Sequence, residues 1–190
     1  MEGEEVIEFD FDEILKAFSK YSNPLTIAGI MISIITCWYV RTRDVANLMG
    51  KYLLGLDPYV FMRYAESIVI NGFLPQIDIL RYYPTFFDTT RELLMPSYFI
   101  AYIYKILHFF NSAVSIPDAA IISPVILTCV GIIFFYLLVK DMFNNSTAFI
   151  ATMLLVTVQG FLFRTSAGFP EKESAAIFFI FPFLFFYLRS

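Results

Sequence analysis

Long apolar runs are the dominant pattern of this chain, and their lengths are typical of membrane-spanning helices. A helix needs about 20 consecutive apolar residues to cross the hydrocarbon core of a bilayer. Runs of that length, or slightly shorter, cover residues 22–40, 118–139, 145–163 and 174–188. Their interiors contain no acidic, basic or histidine residue. The pattern therefore predicts an all-α fold, that of a polytopic helical membrane protein.

A fifth apolar run, residues 93–110, has a different character because it contains Lys105 and His108 among aromatic residues. Aromatic and basic side chains together are typical of helices at the membrane–water interface. From the residues alone, an interfacial helix suits this run at least as well as a crossing helix. The choice decides whether loops 41–92 and 164–173 lie on the same side of the membrane or on opposite sides.

Positive charges indicate the orientation of the later spans, because cytoplasmic loops of membrane proteins are enriched in Lys and Arg. Lys140 indicates a cytoplasmic turn between the second and third predicted spans, and Arg189 indicates a cytoplasmic end to the last one. The loop 164–173 is then external. Residues 1–21 are acidic, so we interpret them as a cytoplasmic leader with an amphipathic helix over 5–20, and not as a signal peptide.

The composition supports a membrane protein and excludes one class of partner. The chain has 190 residues, of which 58% are hydrophobic and 19% aromatic, and its mean hydropathy is +0.69. Soluble domains contain about 45–50% apolar residues, so lipid must cover much of this surface. The net charge of −4 and the lack of a basic stripe exclude nucleic acid as a partner.

Asp57 is the first candidate for chemistry. With Pro58 after it, Asp57 suits the start of a helix, since Asp is a favoured N-cap and Pro a favoured first helical residue. That helix is predicted to run to about Ile70 and to end at Asn71-Gly72. The alternative interpretation is that the Asp57 carboxylate is a ligand at the membrane surface.

Glu171 and Glu173 form a second acidic motif at the start of the last apolar run. Acidic residues at this position also suit the positive end of a helix dipole, which they stabilise by about 0.3–1 kcal/mol. A hard divalent cation prefers several oxygen ligands, and Asp57 could join the two glutamates if both loops face the same side. A metal site beside lipid would suit chemistry on a lipid-linked phosphate.

The order of these motifs resembles the N-terminal part of the catalytic subunit of oligosaccharyltransferase, the dolichyl-phosphooligosaccharide–protein glycotransferase, and especially its archaeal branch. The first shared motif follows the first span and reads GLDPY over residues 55–59, with Arg63 nearby. The second reads RTSAGFPEKE over residues 164–173 and leads to the acidic pair. The resemblance implies the transmembrane domain of a GT-C type glycosyltransferase.

The resemblance also implies roles for individual residues. Asp57 is expected to be the catalytic residue, which binds a divalent cation, Mn²⁺ or Mg²⁺, and contacts the acceptor. Glu171 and Glu173 are expected to be further metal ligands, although the first of these positions is usually Asp in the family. Arg63 is expected to bind substrate.

The membrane arrangement and the reaction follow from the same resemblance. Both acidic motifs face the external side in the family, so residues 93–110 are expected not to cross and to lie within an external loop over 41–117. The expected donor is a lipid-linked oligosaccharide, and the expected acceptor is a polypeptide with Asn-x-Ser/Thr. The expected location is the cell membrane for an archaeal protein and the endoplasmic reticulum membrane for a eukaryotic one.

The chain also departs from the family pattern. The later spans and the C-terminal globular domain with its Trp-Trp-Asp-Tyr-Gly signature are absent, and Trp38 is the only tryptophan. We therefore expect residues 22–190 to be an N-terminal transmembrane fragment, or half of a split gene, that is inactive alone. The alternatives are another lipid-phosphate-sugar glycosyltransferase of this fold, such as a protein mannosyltransferase, and a transporter or non-enzymatic membrane subunit.

Overall fold

The computed structural model describes residues 23–45 and 52–189. The acidic leader predicted over 1–21 and the amphipathic helix predicted over 5–20 lie outside the described residues. The prediction of an all-α fold is confirmed for the described part, which is mostly helical and contains one short pair of strands.

From the third helix onwards the connections are short, whereas residues 43–56 and 72–94 separate the first three helices. The helices are α1 (Pro24–Thr42), α2 (Asp57–Asn71), α3 (Met95–Phe110), α4 (Ile116–Met142), α5 (Asn145–Thr157), α6 (Gln159–Arg164) and α7 (Lys172–Tyr187). Between α2 and α3, β1 (Ile77–Asp78) pairs antiparallel with β2 (Phe87–Asp88), and a 3-10 turn follows at Thr89–Arg91.

α1 and α4 are long and apolar enough to cross a membrane, at 19 and 27 residues. Asn23 begins α1, because its side-chain oxygen accepts a backbone N–H of the first turn at 3.0 Å. Ser115 and Asp118 begin α4 as a capping box, in which Asp118 Oδ2 accepts the Ser115 N–H at 2.9 Å. These two helices correspond to the spans predicted over 22–40 and 118–139.

The remaining apolar helices are shorter. α3 and α7 have 16 residues each, and α5 has 13. At about 1.5 Å per residue they extend for roughly 20–24 Å, whereas the hydrocarbon core of a bilayer is about 30 Å thick. Length does not distinguish α3 from α7, so the non-crossing position predicted for 93–110 and the span predicted over 174–188 both stay predictions.

The span predicted over 145–163 is not one continuous helix. α5 ends at Thr157, Val158 has an extended backbone (φ −62°, ψ 128°), and α6 begins at the next residue. Hydropathy does not register this break, because the residues on both sides are apolar. Arg41 stabilises the break, since its Nη1 donates to the Val156 carbonyl at 3.2 Å and so gives a helix-end carbonyl a partner.

α4 is the central helix of the bundle and contacts α1, α3, α5 and α7. Glycines allow the closest approaches. A Cβ on Gly131 would lie 2.7 Å from Ile177 Cγ2 of α7, and a Cβ on Gly29 would lie 2.2 Å from Tyr136 Oη of α4. Tyr136 is buried and donates to Asn145 Oδ1 at 2.9 Å. The close packing at Gly131 fixes α7, which carries the second acidic motif, against α4.

The outward faces of the helices are apolar. Side chains that are at least half exposed include Leu25, Ile27 and Ile35 on α1, Ile150 and Leu154 on α5, and Ile180 and Phe183 on α7. Soluble monomers rarely expose apolar surface of this extent, whereas lipid covers it favourably. The surface therefore supports a membrane protein.

A buried carboxylate anchors the loop between α2 and α3. Asp78 accepts hydrogen bonds from the Arg63 guanidinium and from Tyr64 Oη, the latter at 2.8 Å. The Leu80 N–H also donates to Asp78 Oδ1, at 2.9 Å. The Arg63 hydrogen bond is the main reason that the pKa of Asp78 falls from its ordinary 3.8 to about 2, and burial acts in the opposite direction.

A second charged contact connects the same loop to α7. Glu92 is 16% exposed, and its carboxylate lies 3.2 Å from Arg81 Nη1 and 2.9 Å from Lys172 Nζ. Burial opposes ionisation of Glu92, but the hydrogen bonds from Lys172 and Arg81 hold its pKa below the ordinary value. The loop is therefore tied to the first residue of α7.

The contact at Gly131 predicts a loss of stability when one methyl group is added. Gly131→Ala places a Cβ against Ile177, and overpacking of this kind destabilises a protein by about 1–3 kcal/mol. We expect a lower melting temperature in detergent. Gly160→Ala is the matched control, because an added Cβ meets nothing within 4 Å there, and its melting temperature should stay the same or rise slightly. Equal effects of the two substitutions would contradict close packing of α4 on α7.

The Asp78 ion pair predicts a loop that loosens in acid. Because the pKa of Asp78 is lower in the folded state, its stabilisation is complete above about pH 4 and is lost as the pH falls towards 2. Asp78→Asn should remove about 2 kcal/mol or more at neutral pH. We expect proteases to cut residues 74–92 faster in this variant at neutral pH, and the wild-type protein to become equally sensitive in acid.

Asp44→Asn is the control for this experiment. Asp44 forms an exposed ion pair with Arg43 at 3.4 Å, and pairs of this kind contribute little to stability. Proteolysis of residues 74–92 should therefore not change in Asp44→Asn. Identical proteolysis of the wild type and Asp78→Asn would show that the buried ion pair does not hold the loop.

Candidate functional site

Asp57 is the first residue of α2 and not its N-cap, so the predicted capping role is wrong. Leu56 before it already has helical backbone angles (φ −85°, ψ −43°), and no side chain caps the helix. A capping side chain needs a non-helical backbone at its own position to reach the first N–H groups. The predicted helix end is confirmed, because Gly72 follows Asn71 with a positive φ of 82°. The Asp57 carboxylate is exposed and, within the described part of the chain, forms no hydrogen bond or ion pair.

Glu171 and Glu173 lie at the start of α7. Glu171 is the N-cap residue and has an extended backbone, while Glu173 belongs to the first turn. Arg164, at the end of α6, lies between them, with Nη1 3.2 Å from Glu171 Oε2 and 3.4 Å from Glu173 Oε1. Arg164 is half exposed, so water weakens both ion pairs.

Backbone contacts join the loops that carry the two acidic motifs. The Leu54 N–H donates to the Gly168 carbonyl at 2.7 Å, and the Gly168 N–H donates to the Ile121 carbonyl at 2.8 Å. Gly55 has a φ of 110°, which glycine adopts without strain, and an added Cβ there would lie 3.4 Å from the Phe169 ring. The loops before α2 and α7 therefore lie together beside the start of α4.

The pKa of Glu171 responds to its surroundings and to the other two carboxylates of the motifs. Burial raises the pKa of Glu171, the negative charges of Glu173 and Asp57 raise it further, and Arg164 acts in the opposite direction. Asp57 therefore lies within electrostatic range of Glu171, as the two-motif hypothesis requires. Like charges held near one another disfavour ionisation, and a bound cation would relieve the repulsion.

The donor chemistry of this cluster suits a hard divalent cation, but the coordination is incomplete. Carboxylate oxygens are preferred ligands of Mg²⁺ and Mn²⁺. Across residues 23–45 and 52–189, however, no group of three Asp, Glu, His or Cys side chains is arranged to hold a metal ion. In place of a metal ion, the Arg164 guanidinium supplies positive charge to Glu171 and Glu173. The assignment of Asp57, Glu171 and Glu173 as metal ligands stays a prediction.

Sequence reasoning missed Arg41, a basic residue at the end of the first apolar run. Arg41 is only 2% exposed. Its Nε donates to Thr165 Oγ1 at 2.8 Å, its carbonyl accepts the Ala167 N–H at 3.1 Å, and its guanidinium carbon lies 5.2 Å from the centre of the Phe161 ring. Arg41 thereby holds the loop that leads to the second acidic motif. A basic residue after an apolar run usually indicates a membrane boundary, and only the structure shows that this one is buried.

Two other basic residues near the motifs are engaged in ion pairs. Arg63, the predicted substrate-binding residue, pairs with Asp78 and lines a cavity of about 220 Å³ between α2 and the following loop. Its role toward substrate stays a prediction. Lys172, which separates the two glutamates in the sequence, extends away from them to Glu92.

Comparisons with known proteins agree with the motif order. The family model described as "Oligosaccharyl transferase STT3, N-terminal" matches residues 30–190. Dolichyl-phosphooligosaccharide-protein glycotransferase 2 of Pyrococcus furiosus is 30% identical over 131 residues, which cover 67% of this chain and 17% of that protein. The dolichyl-phosphooligosaccharide-protein glycotransferase of Methanocaldococcus jannaschii is 30% identical over 146 residues, which cover 70% of this chain and 15% of that protein.

A third relative is similar over more of the chain. Glycotransferase 2 of the same kind from Pyrococcus horikoshii is 29% identical over 157 residues, which cover 79% of this chain and 19% of that protein. The chain thus spans less than a fifth of the length of these curated relatives. The family match nevertheless extends over most of the chain and includes both acidic motifs. The chain belongs to the oligosaccharyl transferase STT3 family, whose N-terminal region it matches.

Proposed function

We propose that this chain forms the N-terminal part of a metal-dependent glycosyltransferase, which transfers an oligosaccharide from a lipid-linked donor to asparagine in Asn-x-Ser/Thr. The names of the relatives, dolichyl-phosphooligosaccharide-protein glycotransferases, support a lipid-phosphate donor and a protein acceptor. The observation that carries the proposal is the 2.7 Å hydrogen bond from the Leu54 N–H to the Gly168 carbonyl, which joins the loop before Asp57 to the loop before Glu171.

The difficult step of this reaction is the attack by the asparagine amide, whose nitrogen lone pair is delocalised into the carbonyl group. In the proposed reaction the nitrogen forms a bond to the anomeric carbon while the bond from that carbon to the phosphate oxygen breaks. The nitrogen loses one proton to a carboxylate or to water. Asp57 suits the role of orienting the amide, because its exposed carboxylate can accept hydrogen bonds from the NH₂ group.

Glu171 and Glu173 supply the other acidic groups of the proposed site. With Asp57 they would hold Mn²⁺ or Mg²⁺, which, when bound, neutralises the charge that develops on the departing phosphate. Arg164 keeps the two glutamates near each other through N–O distances of 3.2 and 3.4 Å. Their mutual repulsion is thereby reduced at the start of α7.

Membrane lipid would deliver the donor to this site. We propose that the protein is a multi-pass membrane protein, in the cell membrane for an archaeal source, with both acidic loops external and α3 at the interface. Tyr102, Ile106 and Phe109 are exposed on α3, and Lys105 Nζ lies 5.6 Å from the centre of the Tyr102 ring. Apolar, aromatic and basic groups on one helix suit the headgroup region, where a lipid phosphate lies.

Asp57→Asn tests the proposed function. The change keeps the size of the side chain but removes the charge that orients the amide and binds the cation. We expect glycopeptide formation by the purified full-length protein to fall by about 100-fold or more. Glu66→Gln is the matched control, because Glu66 lies nine residues further along α2 and so on the opposite face of that helix. Its activity should remain within about twofold of wild type.

Removal of divalent cations is the second test of the proposed function. A chelator should abolish the activity of the wild type and Glu66→Gln, and added Mn²⁺ should restore it. Full activity of Asp57→Asn, or full activity of the wild type in the presence of chelator, would contradict the proposed site.

A further inference from the structure

Lys172 occupies an unfavourable position for a cation site, because it lies between Glu171 and Glu173 in the sequence. A flexible ammonium group could neutralise the acidic cluster and compete with a metal ion for it. The structure places the ammonium elsewhere: Lys172 Nζ lies 2.9 Å from Glu92 Oε1. Glu92 is therefore the carboxylate that holds the Lys172 ammonium at this position.

Glu92 is well placed to hold this ammonium group. Its side chain is 16% exposed, and its other oxygen, Oε2, accepts a hydrogen bond from Arg81 Nη1 at 3.2 Å. The Arg81 contact fixes the carboxylate, so that Oε1 remains directed at Lys172. Lys172 itself is half exposed.

The position of the Lys172 ammonium shows which groups it would reach without the Glu92 contact. Its Nζ already lies 5.9 Å from the centre of the Phe61 ring on α2. Asp57 precedes Phe61 by four residues, and residues four apart lie on the same face of a helix. Loss of the Glu92 contact would therefore leave Lys172 one helical turn from the exposed Asp57 carboxylate.

We propose that Glu92 is a positioning residue that keeps the Lys172 ammonium away from Asp57, so that the acidic cluster retains its negative charge for a divalent cation. The inference rests on the proposed function in one respect, the binding of a cation at Asp57. In the alternative role, the Glu92–Lys172 ion pair only tethers the loop between α2 and α3 to α7. The two roles differ in the effect of removing Lys172. If the ion pair is only a tether, removal of Lys172 breaks it just as removal of Glu92 does. If Glu92 is a positioning residue, removal of Lys172 instead relieves competition for the cation.

Mn²⁺ binding to four forms of the purified full-length protein separates these roles: wild type, Glu92→Gln, Lys172→Gln and the double variant. The signal of free Mn²⁺ in electron paramagnetic resonance gives the dissociation constant without substrate. Glu92→Gln should weaken binding by about threefold to fivefold, the range expected for one exposed charge pair. Lys172→Gln should bind at least as tightly as wild type, and the double variant should match Lys172→Gln.

Glu66→Gln is the matched control, because it also removes one carboxylate charge but lies on the face of α2 opposite Asp57. Its Mn²⁺ affinity should equal that of wild type. Asp57→Asn should lose binding, which tests the cation site independently of Glu92. An unchanged affinity in Glu92→Gln, or a double variant as weak as Glu92→Gln, would overturn the positioning role.

A metal-free measurement decides the inference even if no form binds Mn²⁺, a result that would count against the proposed function alone. Reductive methylation of Lys172, followed by mass spectrometry, reports how freely its amine reacts. If Lys172 moves to Asp57 in Glu92→Gln, the amine should react measurably faster when Asp57→Asn is added to that variant. Equal rates in the two proteins would show that Lys172 does not reach Asp57 and would overturn the inference.

Discussion

The arrangement of the two acidic loops depends on one buried side chain, the guanidinium of Arg41. Burying a charged group is unfavourable by several kcal/mol unless hydrogen bonds compensate, so its partners must stay in place. Those partners include Thr165 and the Val156 carbonyl, which lie on either side of α6, and the Phe161 ring. The break in the helix after α5 and the path of the chain towards α7 thus share one anchor at the end of α1.

The charges around the acidic loops fall into two groups with different environments. Arg63 with Asp78, and Arg81 with Glu92, are pairs in which the carboxylate is largely buried, and they hold the loop between α2 and α3. Asp57 is exposed, and the pKa of Glu171 is raised by burial and by its acidic neighbours. Structural carboxylates with bound cationic partners therefore surround a cluster whose own negative charge is only partly compensated. Such a division suits a site that binds a cation from solution.

Patterns that act locally could be predicted from the sequence, and those that depend on distant contacts could not. The apolar runs placed α1 and α4, and Asn71-Gly72 placed the end of α2, because length and a positive φ at glycine are local constraints. The order of the two acidic motifs indicated the family. The break at Val158 and the burial of Arg41 escaped prediction, since both arise when α1 packs against α5 and α6.

The central claim is that the two acidic motifs, which contain Asp57 and Glu173, lie on one side of the membrane. The background for this test is a variant in which Cys37 and Cys129 are replaced by alanine. Single cysteines, Asp57→Cys or Glu173→Cys, are introduced into it and compared in sealed membrane vesicles. A membrane-impermeant maleimide should label both from the same side, and Asn144→Cys only from the other. Labelling of the first two from opposite sides would contradict the account.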